Sequence, residues 1–389
     1  MTRNITTMLL VLAALGLTGA QGPASAAGPQ PAAGPPTRAG RASAFLGELR
    51  RSTHSPSISA AVAVGGNIVF SQAIGQADLE TGAPATPETV YNIGSVSKAI
   101  TAVAVMQLVE AGQVRLDDPI QKYVPAFPDK GAPITVWNLL THTSGIRHYR
   151  IHDFPGKDWE ENHHPYASLA EAIGIFAKDP LLFHPGQYYF YSSYGVNLLQ
   201  GVVETASGLG FEDYLRQRVF APAGMARSDL DVAGRRVANR ARGYEMKDGR
   251  PAPTAAVDVS YKYASGGMLS TAEDLVRLGV ALNQGKLLGA GAKAQLFAPQ
   301  LPVVHRYRED SPPAIELFQQ GLLWRLVHRP PGAPEVAFVY ECGSFNGFNA
   351  CLLDYTHEDL VVAMILNLDA GGYRPGEALA GLFRAGPGR

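Results

Sequence analysis

The sequence predicts an α+β fold in which strands from both ends of the chain form one antiparallel sheet, flanked by helices, with a mostly helical lobe inserted between them. Strand-like apolar runs lie at 57–75 and again at 321–366. The intervening segment, about 116–246, has helical patterns and Pro-rich loops but few strands. Because strands come first and last, the simplest arrangement joins them in one sheet and places a functional site where the lobes meet.

The composition is that of a large folded domain and argues against a nucleic-acid partner. The chain has 389 residues, of which 46% are hydrophobic and 17% charged, enough for a large core in one domain or two lobes. We assign this domain to residues 43–386. The formal net charge is −1 and the sequence has no basic run, so no strong field favours nucleic acid or acidic lipid.

The first 26 residues have the pattern of a secretory signal peptide. Arg3 is followed by an apolar run at 8–20 and by Ala-Ser-Ala at 24–26, which is a basic region, a hydrophobic region and a cleavage signal. The run is short for a bilayer-spanning helix, so no stable membrane span is expected after cleavage; an uncleaved anchor is the alternative. Residues 27–42 are rich in Pro, Gly and Ala, which is typical of a flexible leader. The expected location is periplasmic or secreted, in a bacterium.

Periodicity and turn signals predict the other elements. Strands at 57–64 and 67–75, joined by a Gly-Gly turn, should form a hairpin at the start of the mature chain. A long apolar helix is expected over 92–111. Further helices are expected over 167–177, 194–207, 211–220, 271–283 and 375–384, and further strands over 321–327, 335–342, 348–354 and 360–366.

The two cysteines flank a strong hairpin turn. Asn346-Gly347 favours a two-residue turn between antiparallel strands. Counting outwards from this turn places Cys342 opposite Cys351, at a non-hydrogen-bonded position where side chains come closest. An exported protein also meets an oxidising environment. We therefore predict a cross-strand disulfide; two buried thiols are the alternative.

Ser95-Val96-Ser97-Lys98 begins the long apolar helical run. A serine three residues before a lysine at a helix N-terminus puts both side chains on one face. The lysine amine can then act on the hydroxyl, and helix N–H groups lie beside the reacting oxygen. Alone, a Ser-x-x-Lys tetrad is a weak signal, because four residues match by chance in many proteins.

Further motifs accompany the tetrad and identify a family. Residues 139–146 read LLTHTSGI, 183–199 read FHPGQYYFYSSYGVNLL and 265–275 read SGGMLSTAEDL. Together with the strand pair at 343–353 and the tetrad, they resemble the class C beta-lactamases and the related penicillin-binding proteins, esterases and serine beta-lactamase-like proteins. The resemblance runs over about residues 57–370. It implies a beta-lactamase/transpeptidase-like fold and a serine hydrolase without a cofactor.

The resemblance implies roles for particular side chains. Ser95 would be the nucleophile, and Lys98 its proton acceptor or a field source. Tyr191 would be a second proton-transfer residue, and the Lys98 ammonium should increase its acidity. Ser193 stands where many relatives carry asparagine and would contact the substrate with a shorter hydroxyl. Without the family, Tyr191 would be only one member of an aromatic run.

The third family motif departs from its usual form. Where relatives carry Lys-Thr-Gly or a histidine-containing equivalent, this chain has Glu341-Cys342-Gly343. Glu341 is expected to face the site and repel a substrate carboxylate. The N–H of Ser344 can still join the N–H of Ser95 as an oxyanion hole, because a backbone donor does not depend on the side chain; such donors contribute on the order of 3 kcal/mol. Penicillins and D-Ala-D-Ala peptides should therefore turn over slowly or not at all.

Three functions are compatible with these residues. The favoured one is an exported peptidase or esterase that acts on a small-molecule or peptide substrate, with cell-wall-derived molecules among the candidates. The alternatives are a true beta-lactamase or D-Ala-D-Ala carboxypeptidase, and a catalytically inactive envelope-binding homologue. Histidines crowd residues 142–164, but no recognised ligand spacing links them, so no metal site is predicted.

Overall fold

A computed structural model describes residues 37–150, 153–154, 162–316, 318–329, 335–369 and 372–384. The predicted signal peptide, 1–26, lies outside the described residues, as does most of the predicted leader. From Arg38 onward, the described residues form one compact unit. In the described part of the chain, no helix combines the length and the apolar character needed to cross a membrane.

The described residues form fifteen strands and eleven α-helices. The strands, in chain order, are β1 (Ser57–Val64), β2 (Asn67–Asp78), β3 (Ala83–Pro84), β4 (Tyr91–Asn92), β5 (Asp229–Leu230), β6 (Tyr244–Lys247), β7 (Arg250–Pro253), β8 (Met268–Ser270), β9 (His305–Arg306), β10 (Ala314–Ile315), β11 (Gln319–Gln320), β12 (Arg325–His328), β13 (Val336–Phe345), β14 (Phe348–Tyr355) and β15 (Leu360–Leu366). The α-helices are α1 (Arg38–Thr53), α2 (Val96–Glu110), α3 (Val136–Leu140), α4 (Leu169–Ile173), α5 (Ser193–Ser207), α6 (Phe211–Tyr214), α7 (Ala221–Ala223), α8 (Tyr263–Gly266), α9 (Ala272–Asn283), α10 (Ala290–Leu296) and α11 (Arg374–Gly381). A π-helical stretch, Leu215–Phe220, joins α6 to α7.

The predicted α+β fold is confirmed. The main sheet has the order β11-β12-β13-β14-β15-β1-β2-β3, with antiparallel neighbours throughout. β15, near the C-terminus, pairs with β1, near the N-terminus, so that Val62 lies opposite Val362. The chain between β3 and β11 carries most of the described helices and the smaller sheets; the predicted lobe, about 116–246, is part of this segment and contains α3 to α7.

Helices cover both faces of the main sheet, which explains why β1, β14 and β15 at its centre are buried along almost their whole length. Ala61 and Ala63 of β1 belong to the core cluster that contains residues of α2 and α9. Their neighbours Ala60 and Val62 point to the opposite face and belong to the cluster that contains residues of α1 and α11. Alternate residues of a strand face opposite sides of the sheet, so both sides of β1 are buried.

The helix α1 corrects the leader prediction at residues 38–42, and it precedes the hairpin that was expected to open the fold. Residues 38–42 are the first residues of α1, and Ala42 and Leu46 are fully buried against the sheet. These two residues are four apart and therefore share one helix face. The buried face of α1 is narrow. Because the residues around it are mostly Arg, Gly and Ser, the composition of this segment does not indicate a helix.

The β13–β14 hairpin has the register that was counted outwards from its turn. Asn346 and Gly347 have φ values of +48° and +79°, as a two-residue hairpin turn requires. Cys342 lies opposite Cys351 with a Cα–Cα distance of 4.1 Å, and the two form a disulfide. So short a distance is typical of a non-hydrogen-bonded pair.

Some of the other predicted element boundaries agree with the structure, and others are displaced by a few residues. β15 has the predicted bounds, and Thr271 caps α9 by accepting a hydrogen bond from the Asp274 N–H. The strand predicted at 321–327 begins only at Arg325, because Leu323 has a φ of +59° and cannot continue a strand. The helix predicted from residue 92 begins at Val96, since Asn92 pairs in β4.

Candidate active site

Ser95 lies at the junction between β4 and the buried helix α2. It precedes the first residue of α2, with a helical backbone conformation of φ −66° and ψ −8°. Nearly every residue of α2 is buried, so the helix is held on all sides and Ser95 is fixed with it. Thr101 of α2 also donates a hydrogen bond of 2.7 Å to the carbonyl of Ala264 in α8. This bond holds α8 beside the first turn of α2.

Lys98 extends from the first turn of α2 back to Ser95. Its Nζ lies 2.9 Å from Ser95 Oγ and donates a second hydrogen bond of 2.6 Å to the backbone carbonyl of Ser265 in α8. The side chain is fully buried. Both contacts depend on the three-residue spacing between Ser95 and Lys98 and on the position of α8.

Tyr191 approaches Ser95 from the helical lobe. It directly precedes Ser192, whose Oγ caps α5 by accepting a hydrogen bond of 2.9 Å from the Gly195 N–H. The Tyr191 hydroxyl donates a hydrogen bond of 2.7 Å to Ser95 Oγ. Lys98 Nζ lies 4.8 Å from the centre of the tyrosine ring. Ser95 Oγ is therefore contacted by an amine and a phenol at once.

Two histidines hold the ring of Tyr191 from the sides. His142 packs at a centroid distance of 4.6 Å and His148 at 5.5 Å. Their Nδ1 atoms accept backbone hydrogen bonds from Ser192 and Ser193, at 3.3 and 3.1 Å. Burial, followed by the charge of Lys98, lowers the pKa of both rings, that of His148 to about 3. These histidines are neutral and position Tyr191.

Burial determines which of the two polar groups at Ser95 can take up a proton. It lowers the pKa of Lys98 to about 7, although the Glu341 carboxylate acts in the opposite direction. Burial also raises the pKa of Tyr191, and Glu341 raises it further. The expectation that Lys98 makes Tyr191 more acidic is therefore wrong, because desolvation of the phenolate outweighs the nearby positive groups. Lys98 is suited to accept a proton and Tyr191 to donate one.

The β13 strand lies against the backbone of Ser95. A Cβ atom at Gly343 would collide with backbone atoms of Ile93 and Ser95, so only glycine allows this approach. Since Cys342 occupies a non-hydrogen-bonded position, the alternation of the ladder makes Ser344 non-hydrogen-bonded as well. Its N–H therefore points away from β14, on the strand edge beside Ser95. The N–H groups of Ser95 and Ser344 can face one carbonyl oxygen.

A cavity of about 340 Å³ opens beside these groups. Its lining residues include Ser95, Tyr191, Ser193, Cys342 and Ser344. Gly343 and Glu341 are not among the described residues that line it. Gly343 contributes by its close approach to Ser95, but Glu341 has another position.

Glu341 corrects the expectation of an acid facing the substrate. Its side chain is only 3% exposed, and its Oε2 accepts a hydrogen bond of 3.1 Å from Arg325 Nη1 on β12. Glu341 lies on the same side of β13 as Gly343, the side toward α2, where its charge acts on Lys98; it is not among the described residues that line the cavity. The guanidinium of Arg325 also lies 5.6 Å from the centre of the Tyr191 ring. A buried ion pair therefore stands where relatives carry a single cation.

Two cationic residues at the site, Arg325 and Lys262, were not assigned to it from the sequence. Arg325 lies in β12, and only the pairing of Arg325 with Tyr340 brings it beside Glu341. Lys262 lines the cavity together with Ser95, although it is distant in sequence. The segment Ser260-Tyr261-Lys262 also matches a family position, but this match does not assign a role to Lys262.

Comparisons with known proteins agree with this geometry. The family model described as Beta-lactamase matches residues 42–384. The mitochondrial serine beta-lactamase-like protein LACTB of Homo sapiens is 33% identical over 308 residues, which cover 63% of this chain and 56% of that protein. Esterase EstB of Burkholderia gladioli is 32% identical over 202 residues, 48% of this chain and 50% of the esterase. The chain thus spans about half the length of these curated relatives.

A solved structure extends the similarity to most of the described chain. The octameric penicillin-binding protein homologue from Pyrococcus abyssi superposes with a TM-score of 0.73 and 28% sequence identity. The match covers 88% of this chain and 77% of that one. The family predicted from the motifs is confirmed.

Proposed function

Because this chain belongs to the beta-lactamase family, we propose that it is an exported active-site-serine hydrolase, a peptidase or esterase, which forms an acyl-enzyme on Ser95. The family comprises serine hydrolases that include penicillin-binding proteins, esterases and beta-lactamases. The observation that supports the proposal most strongly is the pair of hydrogen bonds to Ser95 Oγ from Lys98 and Tyr191. Export to the periplasm or the medium rests on the signal-peptide pattern of residues 1–26.

Acylation begins with the carbonyl carbon of the substrate opposite Ser95 Oγ. With the Lys98 amine neutral, its Nζ accepts the hydroxyl proton across their 2.9 Å contact as Oγ attacks. The N–H groups of Ser95 and Ser344 stabilise the negative charge that develops on the carbonyl oxygen, a contribution on the order of 3 kcal/mol. Tyr191 then donates its proton to the leaving nitrogen or oxygen and is reprotonated by the Lys98 ammonium.

Deacylation repeats these steps with water as the nucleophile. The neutral amine of Lys98, acting with Tyr191, takes a proton from a water molecule that attacks the acyl carbon. Collapse of the second tetrahedral intermediate breaks the bond to Ser95 Oγ, which recovers its proton. Lys98 and Tyr191 share this proton traffic, so the pH dependence should report the pair and not either residue alone.

Turnover of neutral ester and amide substrates tests the proposal. The wild type should hydrolyse p-nitrophenyl acetate or a peptide p-nitroanilide. The kcat of Ser95→Ala should be lower than that of the wild type by about a thousandfold or more. The control Ser52→Ala, at an exposed serine, should have the kcat of the wild type. Equal turnover by wild type and Ser95→Ala would contradict the proposal, and a folded wild type that cleaves no substrate would favour the envelope-binding alternative. Fast, Ser95-dependent cleavage of a coloured cephalosporin would favour a true beta-lactamase.

A further inference from the structure

Lys262 is a second lysine in the cavity of Ser95. It directly precedes α8, and the side chain is 3% exposed while lining the cavity. Its Nζ lies 2.9 Å from the centre of the Phe345 ring and 5.6 Å from that of Tyr149. Phe345 follows Ser344 in β13, so the amine sits one residue along the strand from the oxyanion donor. None of the catalytic steps above uses Lys262.

Two lysine amines lie in or beside the cavity. Lys262 is one of its lining residues, and Lys98 lies directly beneath Ser95, with its Nζ bonded to Ser95 Oγ. No Asp or Glu occurs among the described residues that line it. The described acids whose charges act on the two lysines have other partners: Asp231 pairs with Arg240 at 2.7 Å, and Glu341 pairs with Arg325. Among the described lining residues, a negatively charged group entering the cavity would therefore meet the Lys262 amine and no carboxylate.

We propose that Lys262 binds a carboxylate, or another anionic group, of the substrate close to the scissile carbonyl. It thereby selects anionic substrates, a role that Glu341 in the third motif cannot fill. The inference rests on the proposed function of Ser95, and it adds the substrate class. The aromatic rings of Phe345 and Tyr149 pack against the amine and leave its position defined before substrate binds.

The electrostatic setting of Lys262 agrees with this role. Burial lowers the pKa of Lys262 well below its usual value, and Lys98 lowers it further, against the opposing effect of Asp231. An anion in contact with a buried amine favours the charged form of that amine. Binding of an anionic substrate would restore the charge of Lys262 and form a charge-assisted hydrogen bond.

Two matched ester pairs test the selection. The mono-p-nitrophenyl ester of glutarate carries a carboxylate where p-nitrophenyl valerate has a methyl group, and 3-carboxyphenyl butyrate is compared with phenyl butyrate. For at least one pair, Lys262→Met should reduce kcat/KM for the anionic ester by about tenfold or more while the neutral ester changes less than about threefold. Lys262→Arg should retain most of the preference. An anionic-to-neutral ratio that is unchanged in both pairs would overturn the proposal.

Equilibrium binding separates this inference from the proposed function. Isothermal titration of glutarate and of acetate into Ser95→Ala protein needs no turnover. The account predicts binding of at least one of them that weakens about tenfold or more when Lys262→Met or Lys262→Gln is added to Ser95→Ala. If this binding is observed but the wild type cleaves no ester, the anion-binding role of Lys262 is supported and the proposed hydrolase function is refuted. Ester cleavage without Lys262-dependent anion binding or anionic preference would refute the role of Lys262 alone.

Discussion

Removing the carboxylate of Glu341 should destabilise the fold, because it leaves Arg325 without its partner. The two side chains are bonded at 3.1 Å and are 3% and 20% exposed, respectively. Breaking a buried pair by removing one partner costs 3–5 kcal/mol, and the partial exposure of Arg325 places Glu341→Leu at about 3 kcal/mol. Replacing both, as Arg325→Met with Glu341→Leu, should recover most of this loss, since an apolar pair needs no desolvation of charge.

Guanidinium unfolding at pH 8 measures this effect, because burial raises the pKa of Glu341 to about 7 and the carboxylate is ionised at that pH. The exposed pair Arg329–Glu377, at 2.9 Å with side chains 48% and 32% exposed, supplies the control. Glu377→Leu should cost less than about 1 kcal/mol. The reasoning is refuted if Glu341→Leu costs no more than this control, or if adding Arg325→Met recovers nothing.

Three further outcomes follow from the site. The kcat/KM for a neutral ester should rise as pH increases through about 7, because burial lowers the pKa of Lys98 to about 7 and only the neutral amine accepts a proton; a pH-rate profile that is flat from 6 to 8 would contradict this. Gly343→Ala should lower kcat about a hundredfold by displacing the oxyanion donor, whereas Gly291→Ala, where a Cβ meets no atom within 4 Å, should not. Replacing both cysteines with serine should lower the free energy of unfolding by up to about 2.6 kcal/mol, for a disulfide of sequence separation 9, measured by denaturation; unchanged stability would show that the hairpin needs no crosslink.

Much of the fold, and the Ser95–Lys98 pair at the centre of the site, could be predicted from short stretches of sequence. The register of the β13–β14 hairpin follows from the Asn346-Gly347 turn alone, because turn geometry sets which residues lie opposite one another. The spacing of Ser95 and Lys98 likewise defines one helix face. These predictions involve residues within a few positions of each other, so no long-range packing was needed to make them.

The remaining site residues depend on long-range pairing that a single sequence does not reveal. Arg325 reaches Glu341 only through the β12–β13 register, and without it Glu341 was wrongly placed facing the substrate. Lys262 reaches the cavity only because α8 packs on α2. The raised pKa of Tyr191 arises from burial, a quantity that the aromatic run around it does not reveal.

The central claim is that Ser95 is an activated nucleophile, and covalent labelling tests it most directly. Wild type, Ser95→Ala and Lys98→Met proteins would be incubated with a fluorophosphonate at pH 8 and compared by intact mass. The account predicts a single adduct on the wild type, none on Ser95→Ala, and much slower labelling of folded Lys98→Met. An unlabelled, folded wild type, or equal labelling of Ser95→Ala, would contradict it.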